Sequence, residues 1–350
     1  MRTPFPLRCL ALFPLVLPAA AQAQQPVEVP SVAPAASGVA LARLGVAPED
    51  LMRYEPTGLS LLRPYARGKT PVVLIHGLWA HPWSWHRMVE RLEDDPGLRE
   101  RYQFWTFGYS TGDPIPYSAY LMRRNLDEVR RRLDPDGSDR ALDQMVVVGH
   151  SMGGLLAKML AVDSGDHLWQ VITDRPFDEL QGDPPDRDLF RAGLIFNHRP
   201  EVRRVVFIAT PHQGSTIDRG SIRLVGTRLV RVPDPLCAAH HRLVARNPPA
   251  FFRDFFRKGL PTSIDELEWG SPILAGLHNI PIAPAISSHS IIAVLPSSPP
   301  DIQSDGLVRF ESARLAGVAT EKIVATGHLC QDHPEVIAEV RRILSDGAGP

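Results

Sequence analysis

Gln144-Met145-Val146-Val147-Val148-Gly149-His150-Ser151-Met152-Gly153-Gly154-Leu155-Leu156-Ala157 decides how this chain is read. Gln144 to Val148 is a short apolar, β-branched run of the kind that forms a strand buried on both faces. Gly154 to Leu160 reads as a helix packed close to it. Between them lies G-x-S-x-G, a turn tight enough to lift the Ser151 hydroxyl above the sheet edge. Glycine is required on either side because a side chain there would strike neighbouring backbone. The pentapeptide alone recurs by chance; the strand before it and the helix after it give it meaning.

Outward from this turn, further strands are expected at Gly58–Leu62, Pro71–Ile75, Tyr102–Phe107, Arg203–Ala209, Ser290–Leu295 and Lys322–Thr326. Helices are expected from Trp83 to Leu92, from an N-cap at Ser118 to Leu133, and from Pro334 onward, where Val336, Val340 and Leu344 fall four apart. The arginines of the second helix (Arg123, Arg124, Arg130, Arg131 and Arg132) read as a solvated face. Strands alternating with helices imply a mostly parallel sheet covered on both sides, an α/β class.

A chain of 350 residues fits one or two domains at about 150 residues each. We read a signal peptide over 1–23, a Pro/Ala-rich linker over 24–50 and a single domain over 51–350. The leader rests on Arg2 and Arg8, an apolar stretch from Cys9 to Leu17, and the small-x-small site Ala21-Gln22-Ala23. It is too short to span a bilayer. Export to the periplasm or medium is expected, the alternative being an uncleaved segment that tethers the protein to a membrane. A net charge of −1 with no dense basic cluster argues against nucleic acid as a partner. Beyond the leader only Cys237 and Cys330 remain, compatible equally with one disulfide and with two buried thiols. No Cys-x-x-Cys or His-Glu-x-x-His occurs, so neither metal nor cofactor is expected.

A serine hydroxyl needs a base, normally histidine, and that histidine an orienting carboxylate. The strand ending at Leu295 leads into Asp301-Ile302-Gln303-Ser304-Asp305-Gly306, where Asp305 is the expected acid and Asp301 the alternative. The last strand leads into Gly327-His328, the expected base; His333 reads as a surface or capping residue. The oxyanion of an acyl-transfer intermediate would be held by the backbone N–H of Met152 and by that of Leu78, with Trp79 a weaker choice for the second. His76 and Gly77 read as loop-shaping residues.

Pro71-Val-Val-Leu-Ile-His-Gly, Gly149-His-Ser-Met-Gly-Gly, Thr210-Pro-His-Gln-Gly-Ser, Ser304-Asp-Gly and Gly327-His328 together resemble the α/β-hydrolase superfamily, in particular its bacterial lipase and esterase branch. The likeness covers roughly residues 61–344, apart from two excursions. It implies the α/β-hydrolase fold with helical cap insertions, here at about 163–200 and 216–285, and carries Ser151, Asp305 and His328 over as a triad. It also implies that His212 is not the base. Within the second excursion Ile222, Val225, Leu229 and Val232 alternate with Arg219, Arg223, Arg228 and Arg231, an amphipathic pattern; Phe251 to Phe256 suggests a second, aromatic-rich helix. Such helices suit a lipid or acyl ester substrate and contact between the cap and a lipid surface, and equally suit ordinary packing on a core. The expected activity is carboxylic ester hydrolysis through an acyl-enzyme. Acyltransferase, amidase and non-catalytic scaffold are the alternatives, the last disfavoured because no triad member or elbow glycine is missing.

Overall fold

The computed structural model describes residues 58–215, 232–299 and 301–346. The proposed leader and linker, and the whole arginine-striped segment from Arg219 to Arg231, lie outside the described residues.

The described residues form a seven-stranded sheet in the order β1-β3-β2-β4-β5-β6-β7. The strands are β1 (Gly58–Leu61), β2 (Thr70–Ile75), β3 (Tyr102–Gly108), β4 (Met145–His150), β5 (Val202–Ile208), β6 (Ser287–Val294) and β7 (Thr320–Ala325). Only β1 runs antiparallel, against β3; every other pairing is parallel. Alternation along each strand divides the core. Val73, Ile75, Val147 and Val205 face one buried cluster, while Val72, Leu74, Val146, Val148 and Val206 face the other. The first cluster is covered by α2 (Ile115–Leu133) and α3 (Met152–Lys158), the second by α1 (His86–Glu93) and the C-terminal helix Pro334–Asp346. Burial on both sides explains why the strands read as unbroken apolar runs rather than alternating ones.

The order reverses between β2 and β4: β3 lies outside β2 on one side, and β5 to β7 follow β4 on the other. Loops leaving the carboxyl ends of strands at such a point diverge and open a crevice, the favoured place for a ligand in open α/β sheets. The loop after β2 carries Leu78; the turn after β4 carries Ser151.

Four expectations need correction. The segment from Trp83 starts as a 3-10 turn, Pro82–Trp85, and becomes α-helical only at His86. α2 starts at Ile115, not after Ser118, because Pro114 and Pro116 suit a first turn and the orphan N–H of Ile115 is taken by a carboxyl oxygen of the distant Glu266 at 2.6 Å. Arg123 is not solvated. It is buried, donates to the carbonyls of Ala192 (2.6 Å) and Met159 (3.4 Å), and stacks over Phe196 at 4.0 Å. Finally, Phe251 to Phe256 is not one helix. Phe251 and Phe252 pack into the core from a bend, and helix begins only at Asp254.

Over residues 163–200 lie a helix at His167–Ile172 and α4 (Pro184–Leu194). After residue 232 come α5 (Asp234–Arg246), the short α6 (Ser263–Glu266) and a helix at Pro272–His278. Cys237 and Cys330 are both free thiols, the second buried. No helix among the described residues is long and apolar enough to cross a membrane.

Candidate active site

Ser151 sits between β4 and α3 with φ 54 and ψ −125, left-handed backbone that an L-residue rarely adopts. Such conformations cost of order 1–3 kcal/mol and persist only where the surroundings enforce them. Here the enforcement is close packing: a Cβ at Gly149 would collide with the backbone of Gly153, and one at Gly153 with the carbonyls of Ile75 and His76. The turn is thus clamped between β2 and α3 and holds up the hydroxyl.

His328 follows β7 and meets Ser151 from across the sheet. Its Nε2 lies 2.8 Å from Ser151 Oγ, and its Nδ1 lies 2.7 Å from Asp305 Oδ2. Asp305 is buried in the loop after β6, and its other oxygen accepts from the N–H groups of Leu307 (2.9 Å) and Val308 (2.7 Å). The His328 N–H in turn donates to the Asp305 carbonyl at 3.0 Å, so acid and base loops are tied through main chain as well. With Nδ1–H donating to the carboxylate, Nε2 is left as the acceptor for the serine hydroxyl. That arrangement can take a proton from Oγ as it attacks an electrophile. Asp301 is exposed and His328 Nδ1 is already engaged by Asp305.

Met152 is the first residue of α3, so its N–H has no partner within the helix. Leu78 follows Gly77, where a Cβ would lie 2.9 Å from Ser151 Cβ; the loop passes directly beside the serine. Among the described residues the Leu78 N–H makes no hydrogen bond, whereas that of Trp79 is directed at Thr111 Oγ1, 3.4 Å away. His76 is buried and stacked on Tyr109 at 4.6 Å, and Tyr109 Oη donates to the His76 carbonyl at 2.8 Å. Burial lowers the His76 pKa to about 4, so it is neutral and holds loop shape.

Two histidines elsewhere in the site's motifs have other tasks. His212, buried and edge-on to Phe207 at 4.9 Å, donates its backbone N–H to the Ser312 carbonyl at 2.9 Å and so couples the loop after β5 to the segment beyond Asp305. His333 accepts from the Glu335 N–H at 3.3 Å, at the start of the C-terminal helix. Sequence reasoning missed His150. Its Nε2 lies 2.8 Å from the His328 carbonyl, and its ring centroid 5.1 Å from that of His328. Burial, with the neighbouring His328 adding to it, lowers the His150 pKa to about 3, which makes it a neutral Nε2–H donor. Its only sequence signal was its place inside the serine motif. Among the described residues no group of three or more His, Cys, Asp or Glu side chains is placed to share a metal ion.

The profile of the alpha/beta hydrolase family matches residues 72–340. The chain belongs to that family. Solved structures similar to this hydrolase include the mature form of Bacillus licheniformis lipase BlEst2 (12% identity, TM-score 0.45, covering 83% of this chain and 95% of that one). They also include the phospholipase PlaB from Legionella pneumophila (14%, TM-score 0.45, 79% and 59%) and the Pyrococcus furiosus esterase Pf2001 (14%, TM-score 0.41, 83% and 87%). No curated protein matches the chain in sequence.

Proposed function

We propose that this hydrolase cleaves carboxylic esters, of lipid or acyl type, through a Ser-His-Asp triad and an acyl-enzyme. The observation that carries the reading is the unbroken chain of hydrogen bonds from Ser151 Oγ to His328 Nε2 and from His328 Nδ1 to Asp305 Oδ2. Ser151 Oγ attacks the ester carbonyl carbon while His328 Nε2 takes its proton, and Asp305 steadies the imidazolium that forms. The negative charge on the carbonyl oxygen is held by the Met152 and Leu78 N–H groups, each worth about 2.7–4 kcal/mol of barrier in comparable sites. Collapse expels the alcohol, which receives the proton from His328. Water then attacks the acyl-enzyme by the same proton route and frees the acid.

The lipid preference is supported by what borders the site. Trp79 is 46% exposed, Leu307 38% and Leu329 78%, and each stands within two residues of Leu78, Asp305 or His328. Exposed apolar side chains next in sequence to the proposed site residues suit an apolar substrate and transient contact with a lipid surface. The secretory character of residues 1–23 supports placing the enzyme outside the cytoplasm.

The test is hydrolysis of p-nitrophenyl esters by the purified protein, together with fluorophosphonate labelling. Turnover that disappears in Ser151→Ala, with labelling lost in parallel, supports the reading. A wild-type protein inert to every ester and to the probe overturns it.

A further inference from the structure

Between the cap and the start of α2 lies a part-open apolar cavity of about 60 Å3, several times the roughly 10–15 Å3 that one water needs. Leu189, Phe190 and Gly193 of α4 form one wall, Pro116 and Tyr117 of α2 another, and Phe256 a third. Among the described residues a single ionisable carboxyl lines it, that of Glu266 at the end of α6. Glu266 is buried, and one of its oxygens accepts from the Ile115 N–H at 2.6 Å. Among the described residues no cation pairs with it and no second hydrogen bond to its carboxyl is made. Burial, with Asp265 pushing the same way, raises its pKa to about 8. At neutral pH it is therefore a carboxylic acid with a proton to donate, in a wall otherwise unable to do so except through the Tyr117 hydroxyl.

The cavity is structurally joined to the oxyanion loop. Ser263 of α6 donates its N–H to the Gly112 carbonyl at 3.4 Å and its hydroxyl to the Thr111 carbonyl. Thr111 Oγ1 is the group that faces the Trp79 N–H. Cap, α2 entrance and the loop carrying Leu78 are thus one hydrogen-bonded unit.

Resting on the ester-hydrolase reading above, we propose that this cavity takes the far end of the substrate's acyl chain and that Glu266 sets its chemistry. The preferred acyl group is uncharged, apolar along its length, and carries a hydrogen-bond-accepting oxygen where it meets the Glu266 carboxyl. A carboxylate-ended chain is rejected, because its negative charge would be buried among apolar side chains with no cation among the described lining residues to pair with it. A plain alkyl chain enters but leaves the Glu266 proton unbonded.

The experiment compares kcat/KM on p-nitrophenyl acetate, octanoate and 6-methoxyhexanoate, the last matching octanoate in length with an ether oxygen near its end. The wild type is expected to prefer the methoxy ester over octanoate by about tenfold, one hydrogen bond's worth. Glu266→Leu should erase that preference. Glu266→Gln, which still offers an N–H donor, should keep it. In the wild type the preference should fade as pH rises past about 8, whereas in Glu266→Gln it should not. The pH arm needs that control because Asp113, near Ile115, is itself buried with a pKa raised to about 7. Gly193→Leu fills the cavity. A Cβ there would come no closer than 3.9 Å to Pro116 O, and leucine is the better helix former, so folding is kept. It should lower the octanoate-to-acetate ratio by about tenfold or more. An octanoate-to-acetate ratio unmoved by Gly193→Leu, or a methoxy preference absent or indifferent to Glu266→Leu, overturns the inference while acetate turnover keeps the hydrolase reading standing. No turnover of any ester overturns both.

Discussion

The Nε2–H of His150 donates to the carbonyl oxygen of His328, 2.8 Å away, so the residue before the serine grips the loop that carries the proposed base. His150→Phe would remove one of that carbonyl's two donors, the other being the Cys330 N–H at 2.9 Å, a loss of about 0.5–1.5 kcal/mol. We expect kcat to fall by about 3- to 10-fold with KM little changed, and partial recovery in His150→Gln. Because His150 stays neutral down to about pH 3, the acid limb of the pH–rate profile should show one ionisation in the wild type. Unchanged kcat in His150→Phe would make the contact incidental.

Ser151, the proposed nucleophile, is also strained. Ser151→Gly should abolish turnover yet raise the melting temperature by about 2–4 °C, since glycine accepts its φ of 54 without a steric penalty. Ser151→Ala should abolish turnover with no such gain. Calorimetry of the two variants side by side checks this.

Asp305→Asn should lower kcat by about 10⁴, the scale seen when an orienting carboxylate becomes an amide. Asp301→Asn should leave kcat near the wild-type value, because Asp301 is exposed and outside the hydrogen-bonded chain. Steady-state kinetics on any ester that is turned over decides between them.

Glu266 also makes stability depend on pH. Its pKa is raised from 4.5 unfolded to about 8 folded, so the folded state holds the proton more tightly. The contribution is fully present below pH 4.5 and is lost as pH rises toward 8, at roughly 1.4 kcal/mol per pH unit. Relative to Glu266→Gln, the wild type should therefore lose ground as pH rises from 5 to 8 and level off above, which denaturant titrations at several pH values would show.

What could be read in advance was what the chain encodes locally. Strands buried on both faces announce themselves as runs such as Val72–Ile75 and Val146–Val148, and the order serine, acid, histidine placed Ser151, Asp305 and His328 after β4, β6 and β7, at strand ends that the fold then brings within hydrogen-bond distance. What escaped depends on partners far along the chain. Ile115 starts α2 because a carboxyl group 151 residues later takes its N–H. Arg123 is buried because the carbonyls of Met159 and Ala192 wait for it. His150 gains its task from a carbonyl 178 residues away. No periodicity carries that information.

β4 lies at the middle of the sheet, paired with β2 and β5 and sealed on both faces. Its amide protons should accordingly be among the last to exchange with deuterium, opening only when the whole molecule does. The Ser151 hydroxyl is thus mounted on the slowest-breathing part of the protein, and thermal agitation of the surrounding loops can come and go without shifting its perch.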